Sequence, residues 1–213
     1  MSHVTTGWYQ AILVDFPWPF RVWSKATGSG RSAESHYSTM GWEELHAFGE
    51  QLDLVAANDC ALFVWACRPS QHQAFSMVDA WNERQPKKKL RWSYKTEAFT
   101  WVKRTANGKP ATGLGYWTRA NTEPVLLFTR GAVRRQARDV PQVVETFGRM
   151  RHSEKPEVVH ARIERLVPGP YLELFARRAH AGWTCLGNEV TGNDIYYDLA
   201  LLAQRRSVEE RAA

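Results

Sequence analysis

A carboxylate, an aromatic residue, a proline and an indole follow one another at Asp15-Phe16-Pro17-Trp18, directly after the apolar run Ala11–Val14. Residues of these types in this order could clamp a planar ring that carries an amino group. The Asp15 carboxylate and a nearby backbone carbonyl can each accept one amine hydrogen, and Pro17 fixes the backbone without adding a competing N–H. The Trp18 indole offers a flat face for the ring. Alone, the tetrapeptide equally describes a strand-ending turn with a core tryptophan.

A second constellation lies in the C-terminal half. His152-Ser153-x-Lys155-Pro156 precedes an apolar-periodic segment, Glu173 and Arg177 flank the end of another apolar run, and Asn188-Glu189 follow Gly187. A lysine just before a helix start is poorly matched to the helix dipole. A carboxylate ligand shared between Lys155 and the helix N-terminus would account for it. Each residue alone also reads as a surface charge or a turn; the whole set in this order is harder to explain that way. Three basic clusters, Lys87–Arg91, Lys103-Arg104 and Arg130–Arg138, are candidates for phosphate contacts or for solvated faces. The last, with Arg134, Arg135 and Arg138, is the one expected to function. Gly28-Ser29-Gly30 lacks the lysine of a phosphate-binding loop and reads as a flexible loop on the substrate side.

The elements that must hold these residues alternate. Tyr9–Asp15, Cys60–Ala66, Thr96–Val102, Val125–Thr129, Tyr171–Phe175 and Trp183–Leu186 read as strands. Helices are expected over Trp42–Leu54, from Pro69 to about Trp81, and over Pro156–Leu166, where Val158, Val159, Ile163 and Leu166 share a face. Phe20–Tyr37 and Lys103–Thr122 are polar and glycine-bearing connections, and Gly131–Arg151 reads as a mobile basic loop. Alternating strands and helices predict an α/β fold with a mostly parallel sheet, whose ligands collect at the carboxyl ends of the strands. The end of Tyr9–Asp15 is such a position.

The 213 residues suit one domain with a core that needs no staple. With 44% hydrophobic and 23% charged residues, the chain is neither disordered nor fibrous. A net charge of +6 permits a polyanionic partner, and 10 Trp, 9 Phe and 7 Tyr suit flat ligands as well as a core. Three cysteines, Cys60, Cys67 and Cys185, cannot build an all-cysteine zinc site; no metal is expected, and the setting is expected to be reducing and cytoplasmic. Residues 1–9 carry no signal pattern, and the longest apolar runs fall far short of a membrane span.

Taken together, the motifs resemble the permuted adenine-N6 methyltransferase family typified by a D-P-P-W tetrapeptide. The stretches that carry the resemblance are Val14–Trp18, His36-Tyr37-x-Thr39-Met40, Leu62-Phe63-x-Trp65, Trp101-x-Lys103, Gly113–Arg119 with Glu123, His152-Ser153-x-Lys155-Pro156, Ile163–Leu166, Glu173–Arg177 and Gly187–Glu189. They run collinearly from about residue 9 to 190. The resemblance implies a Rossmann-like fold, helices on both sheet faces, S-adenosylmethionine as methyl donor and a permuted motif order. Asp15 and the carbonyl of Phe16 would take the two hydrogens of the target amine, localising its lone pair toward the donor, with Trp18 stacking the base. Tyr37, Trp117, Arg119 and Glu123 match substrate-side positions. Phe175, Arg177, His180, Asn188 and Glu189 match cofactor-side positions, and Lys155 lies close to both ligands.

The sequence has D-F-P-W where the family has D-P-P-W; a phenylalanine supplies the same carbonyl on a less rigid loop. Few residues precede the first strand, so the chain is expected to grip its polymer with its own surface or a partner's. Residues 1–192 are expected to form the methyltransferase domain and 193–213 a C-terminal helix or tail. DNA is the expected substrate. An RNA adenine methyltransferase, or a non-catalytic nucleic-acid-binding subunit of a methyltransferase pair, remain as alternatives.

Overall fold

The structure, a computed structural model, describes residues 9–19, 39–113, 117–148 and 154–212. Its centre is β1 (Tyr9–Val14), whose side chains alternate between two apolar layers. Ile12 and Val14 enter one core, shared with helices α1 (Trp42–Ala47), α2 (Gly49–Val55), α3 (Gln71–Arg84) and α6 (Ile195–Ala212). Ala11 and Leu13 enter the other, shared with α4 (Val158–Leu166). β2 (Ala56–Trp65) repeats the pattern: Leu62 and Val64 face the first core, Ala61, Phe63 and Trp65 the second. Helices therefore cover both faces of the sheet, and strands buried on both faces read as continuous apolar runs.

The sheet has seven strands in the order β5-β3-β4-β2-β1-β6-β7, with β3 at Ser93–Arg104, β4 at Thr122–Arg130, β5 at Val143–Phe147, β6 at Tyr171–Leu174 and β7 at Trp183–Leu186. β1 pairs in parallel with β2 and β6, β6 with β7, and β3 with β5. β4 runs against both its neighbours, β2 and β3. One reversed strand in an otherwise parallel sheet gives the molecule two distinct ends. Asp15, Arg104, Thr122, Phe147, Phe175 and Gly187 share the end where β1 finishes, here called the upper end. Ser93 and Arg130 share the lower.

Two expectations from sequence are corrected. The expected helix over Trp42–Leu54 is two helices, α1 and α2, joined through Phe48, whose N–H bonds back only three residues to the Leu45 carbonyl. The break seats Phe48 in an aromatic cluster with Phe16, Phe175 and Tyr196, and brings Gly49 so close to Trp81 that a Cβ would lie 2.5 Å from the indole. The Gly131–Arg151 segment, expected as a mobile loop, contains β5, and its described residues, 131–148, are fastened at several points. Gln136 N–H donates to the Leu166 carbonyl at 2.8 Å, the Arg162 guanidinium to the carbonyls of Pro141 and Val143 at 2.7 Å, and Arg165 pairs with Asp139 at 2.8 Å. The C-terminal stretch, expected as a helix or a tail, is a helix from Ile195, and its Ile195, Leu199 and Leu202 are buried in the same core as Ile12.

No helix among the described residues is long and apolar enough to cross a membrane.

Candidate active site

The carboxylate of Asp15 leaves the upper end of β1 and meets the Lys155 ammonium at 3.1 Å. Lys155 reaches it from the segment leading into α4, and also holds Glu123, on β4, at 3.0 Å. Lys103 on β3 closes the chain by pairing with the other oxygen of Glu123. Two carboxylates and two ammonium groups thus form one charge-balanced row across four elements. Trp65 and Trp101 form its floor: Lys155 stands 5.3 Å from the Trp65 ring and Lys103 4.3 Å from Trp101.

Each charge is set by its neighbours. Burial pushes the Asp15 carboxyl above its ordinary range, opposed by Lys155 and reinforced by the Glu123 charge. Burial acts on Glu123 in the same sense, but Lys155 and Lys103 together outweigh it and hold that carboxyl down to about 2. Burial opposes the Lys155 charge, yet Asp15 and Glu123 hold its pKa above the ordinary lysine value. Cys67, just past β2, is pushed up to about 11 by burial and by the Glu123 charge, so its thiol stays protonated.

The tetrapeptide is anchored from below. Phe16 is 2% exposed and its ring meets Phe48, Trp81 and Phe175 at centroid distances of 5.3, 6.0 and 5.5 Å. Packing therefore supplies the rigidity that a second proline would give. The Phe16 carbonyl accepts the Trp18 N–H at 2.8 Å, and Pro17's carbonyl accepts Met40 N–H at 2.9 Å. Trp18 is itself held by its indole N–H, which donates to the Trp65 carbonyl at 2.9 Å, and lies beside Trp42. Only 8% of it is exposed, so it stands as a fixed wall of the site.

The cofactor-side residues gather where β6 and β7 end. Phe175 has φ of 58°, a left-handed conformation costly for a residue with a side chain, and its ring is tied to Phe16 and Phe48. Gly187 lets the two strand ends touch: a Cβ there would overlap the Ala176 carbonyl and lie 2.8 Å from its nitrogen. Arg177 pairs with Glu189 at 3.5 Å, and Asn188 opens the four-residue helix α5 (Asn188–Thr191) on the exposed rim.

Other expected residues lie elsewhere. His180 stacks on His160 at 4.1 Å, and His160 binds the Glu173 carboxylate at 2.9 Å, so this cluster joins β6 and β7 to α4 on the sheet's other face. Trp117 is fully exposed and Arg119 exposed, both on the upper-end connection between β3 and β4. Tyr37, His152, Ser153 and Gly28–Gly30 lie outside the described residues. Arg134, Arg135 and Arg138 do not join Asp15: β4 is reversed, so the loop that follows it leaves from the lower end. The lysine reading is corrected too, since Lys155 is satisfied by two carboxylates rather than waiting for a ligand's. Sequence reasoning missed Lys103 as the partner of Glu123; the Trp101-x-Lys103 spacing, which puts both on one face of a strand, was the available signal. Among the described residues no group of three or more His, Cys, Asp or Glu side chains could hold a metal ion.

Residues 9–189, from β1 into α5, match the MT-A70 family. The chain belongs to the MT-A70 family. It is 35% identical over 198 residues to a putative N(6)-adenosine-methyltransferase MT-A70-like of Medicago truncatula, covering 87% of this chain and 27% of that protein. It is 27% identical over 193 residues to the N6-methyladenosine RNA methyltransferase MTA1 of Cryphonectria parasitica, covering 85% and 52% respectively. It is 25% identical over 195 residues to the human N(6)-adenine-specific methyltransferase METTL4, covering 85% and 37%. The chain thus spans between about a quarter and about half of these MT-A70 relatives. The match ends short of α6, whose buried residues complete the core outside the family region.

Proposed function

We propose that this MT-A70 chain transfers a methyl group from S-adenosylmethionine to the exocyclic N6 amine of adenine in a nucleic acid. The observation that carries the reading is the Asp15–Lys155–Glu123 chain at the end of β1, beside the rim made by Phe175, Arg177, Asn188 and Glu189. The donor set suits the cofactor. Arg177 is a cation for a carboxylate, Asp15 is an anion for an ammonium group, and Asn188 and Glu189 can bond a ribose diol. When bound, S-adenosylmethionine supplies a methyl group already activated on a sulfonium.

The protein's own task is to present the amine. An ionised Asp15 accepts one amine hydrogen. The Phe16 carbonyl, which spends one lone pair on Trp18 N–H, has a second for the other hydrogen. Both bonds pull the lone pair out of ring conjugation and aim it away from them. Lys155 keeps Asp15 from rotating and favours its charge, while Asp15 is placed to receive the proton the amine sheds. In a duplex the target base must first leave the stack, at a cost on the order of a few kcal/mol, which stacking beside Trp18 offsets in part.

DNA is the polymer we take from the sequence reading. RNA is the second reading, supported by the Cryphonectria relative, whose name specifies RNA. Nucleoside mass spectrometry after incubation with S-adenosylmethionine and either polymer tests both. N6-methyladenine in the DNA digest supports the first reading, and in the RNA digest the second. Its absence from both, with cofactor binding also absent by calorimetry, would overturn the proposal in favour of a non-catalytic subunit.

A further inference from the structure

Two basic clusters far apart in sequence leave the sheet from neighbouring strand ends. Lys87, Lys88, Lys89 and Arg91 lie just before β3, and Arg134, Arg135 and Arg138 just after β4; all are exposed. Ser93 pairs with Thr129, and the Arg130 guanidinium lies 4.9 Å from the Trp92 ring, so the two launch points are side by side at the lower end. Among the described residues none of these seven cations is paired with a carboxylate. The acids that share this end are engaged elsewhere: Asp53 by buried Arg130, Asp59 by the Ala132 N–H at 2.7 Å, and Asp139 by Arg165 at 2.8 Å. Glu83, four residues before the first cluster, and Glu50, which lines one cleft with Gln85, are left as counter-charges. The loop that carries the three arginines is fastened to α4 by Arg162 and Gln136, so its charges are presented by fixed backbone.

We infer that this lower end is a second nucleic-acid surface, which grips phosphates of the substrate strand away from the reacting base. The inference rests on the nucleic-acid reading above. A row of unneutralised, exposed Lys and Arg is the composition of a backbone contact, which gives affinity without sequence information. From Glu123 to Arg130 is seven residues of strand, or about 24 Å at ~3.4 Å per residue. That separation corresponds to about seven nucleotide steps at ~3.4 Å each. The surface therefore acts on long substrates, through KM.

Two variants test it, R134Q/R135Q/R138Q and K87Q/K88Q/K89Q/R91Q, each checked for an unchanged Tm. The probes are a labelled RNA and a labelled DNA of about 30 nucleotides, long enough to reach both ends of the molecule. Each variant is expected to weaken binding about tenfold and to lower the slope of log affinity against log salt by about 2 to 3, with KM rising and kcat nearly unchanged. An unchanged slope and KM would overturn the inference. So would a loss confined to kcat, or loss of binding to anionic vesicles with nucleic-acid binding retained. If wild-type protein binds the probes without methylating either, and the variants lose that binding, the surface stands and the methyl-transfer reading falls.

Discussion

Asp15 is held between burial, which favours its neutral form, and Lys155, which favours its charge. Asp15→Asn keeps the shape but removes the negative acceptor, so methyl transfer is expected to fall at least about 100-fold with little change in Tm. Because the Asp15 pKa is raised and the ionised form is the acceptor, kcat/KM is expected to drop on the acid side at a pH above the ordinary carboxylate range. Glu123 titrates in the opposite sense. Its carboxyl is lowered from 4.5 to about 2, so its contribution to stability is complete above the ordinary value and is lost as pH falls toward 2. Glu123→Gln leaves Lys103 without its partner and is expected to cost about 1–2 kcal/mol at neutral pH, less than a fully buried pair because the side chain is 27% exposed. Melting curves of wild type and variant should converge below pH 4.5 as Glu123 protonates. Asp15 was legible in the sequence because a carboxylate ends an apolar run. The bridge through Lys155 was not, since Glu123 lies 32 positions away and only the sheet brings the two together.

The ends of β6 and β7 meet with no room to spare. Gly187→Ala pushes a methyl group into the Ala176 backbone and is expected to cost about 1–3 kcal/mol, read as a lower Tm, with cofactor affinity falling along with it. The strain at Phe175 is offset by its ring contacts, so Phe175→Gly would relax the backbone but empty the aromatic cluster; net loss of stability is the expected result. The long buried strands and the helix before β6 were readable from apolar runs and periodicity. β5 was not: it is five residues long, at the sheet edge, with Val143 and Phe147 exposed, so no burial pattern marks it. The kink at Phe48 was hidden for another reason, because the indole that demands it comes from α3.

Across the whole molecule, α6 is the element most easily misjudged. Its C-terminal half is polar, and its tie to the core rests on Ile195, Leu199 and Leu202. Leu199→Ala is expected to cost about 2–5 kcal/mol, and ending the chain at residue 192 more, both measurable by thermal unfolding. The α/β class and the near-parallel sheet were visible in the order of elements. The direction of β4 was not, because a strand's apolar pattern reads alike in both directions; that reversal is what moved Arg134, Arg135 and Arg138 from one end of the molecule to the other.

The same reversal has a polarity of its own. A strand anchored at the upper end and gripped at the lower can extend from the target base in one direction only. Nuclease protection around the methylated adenine is therefore expected to be lopsided, reaching about seven nucleotides further on one flank than on the other.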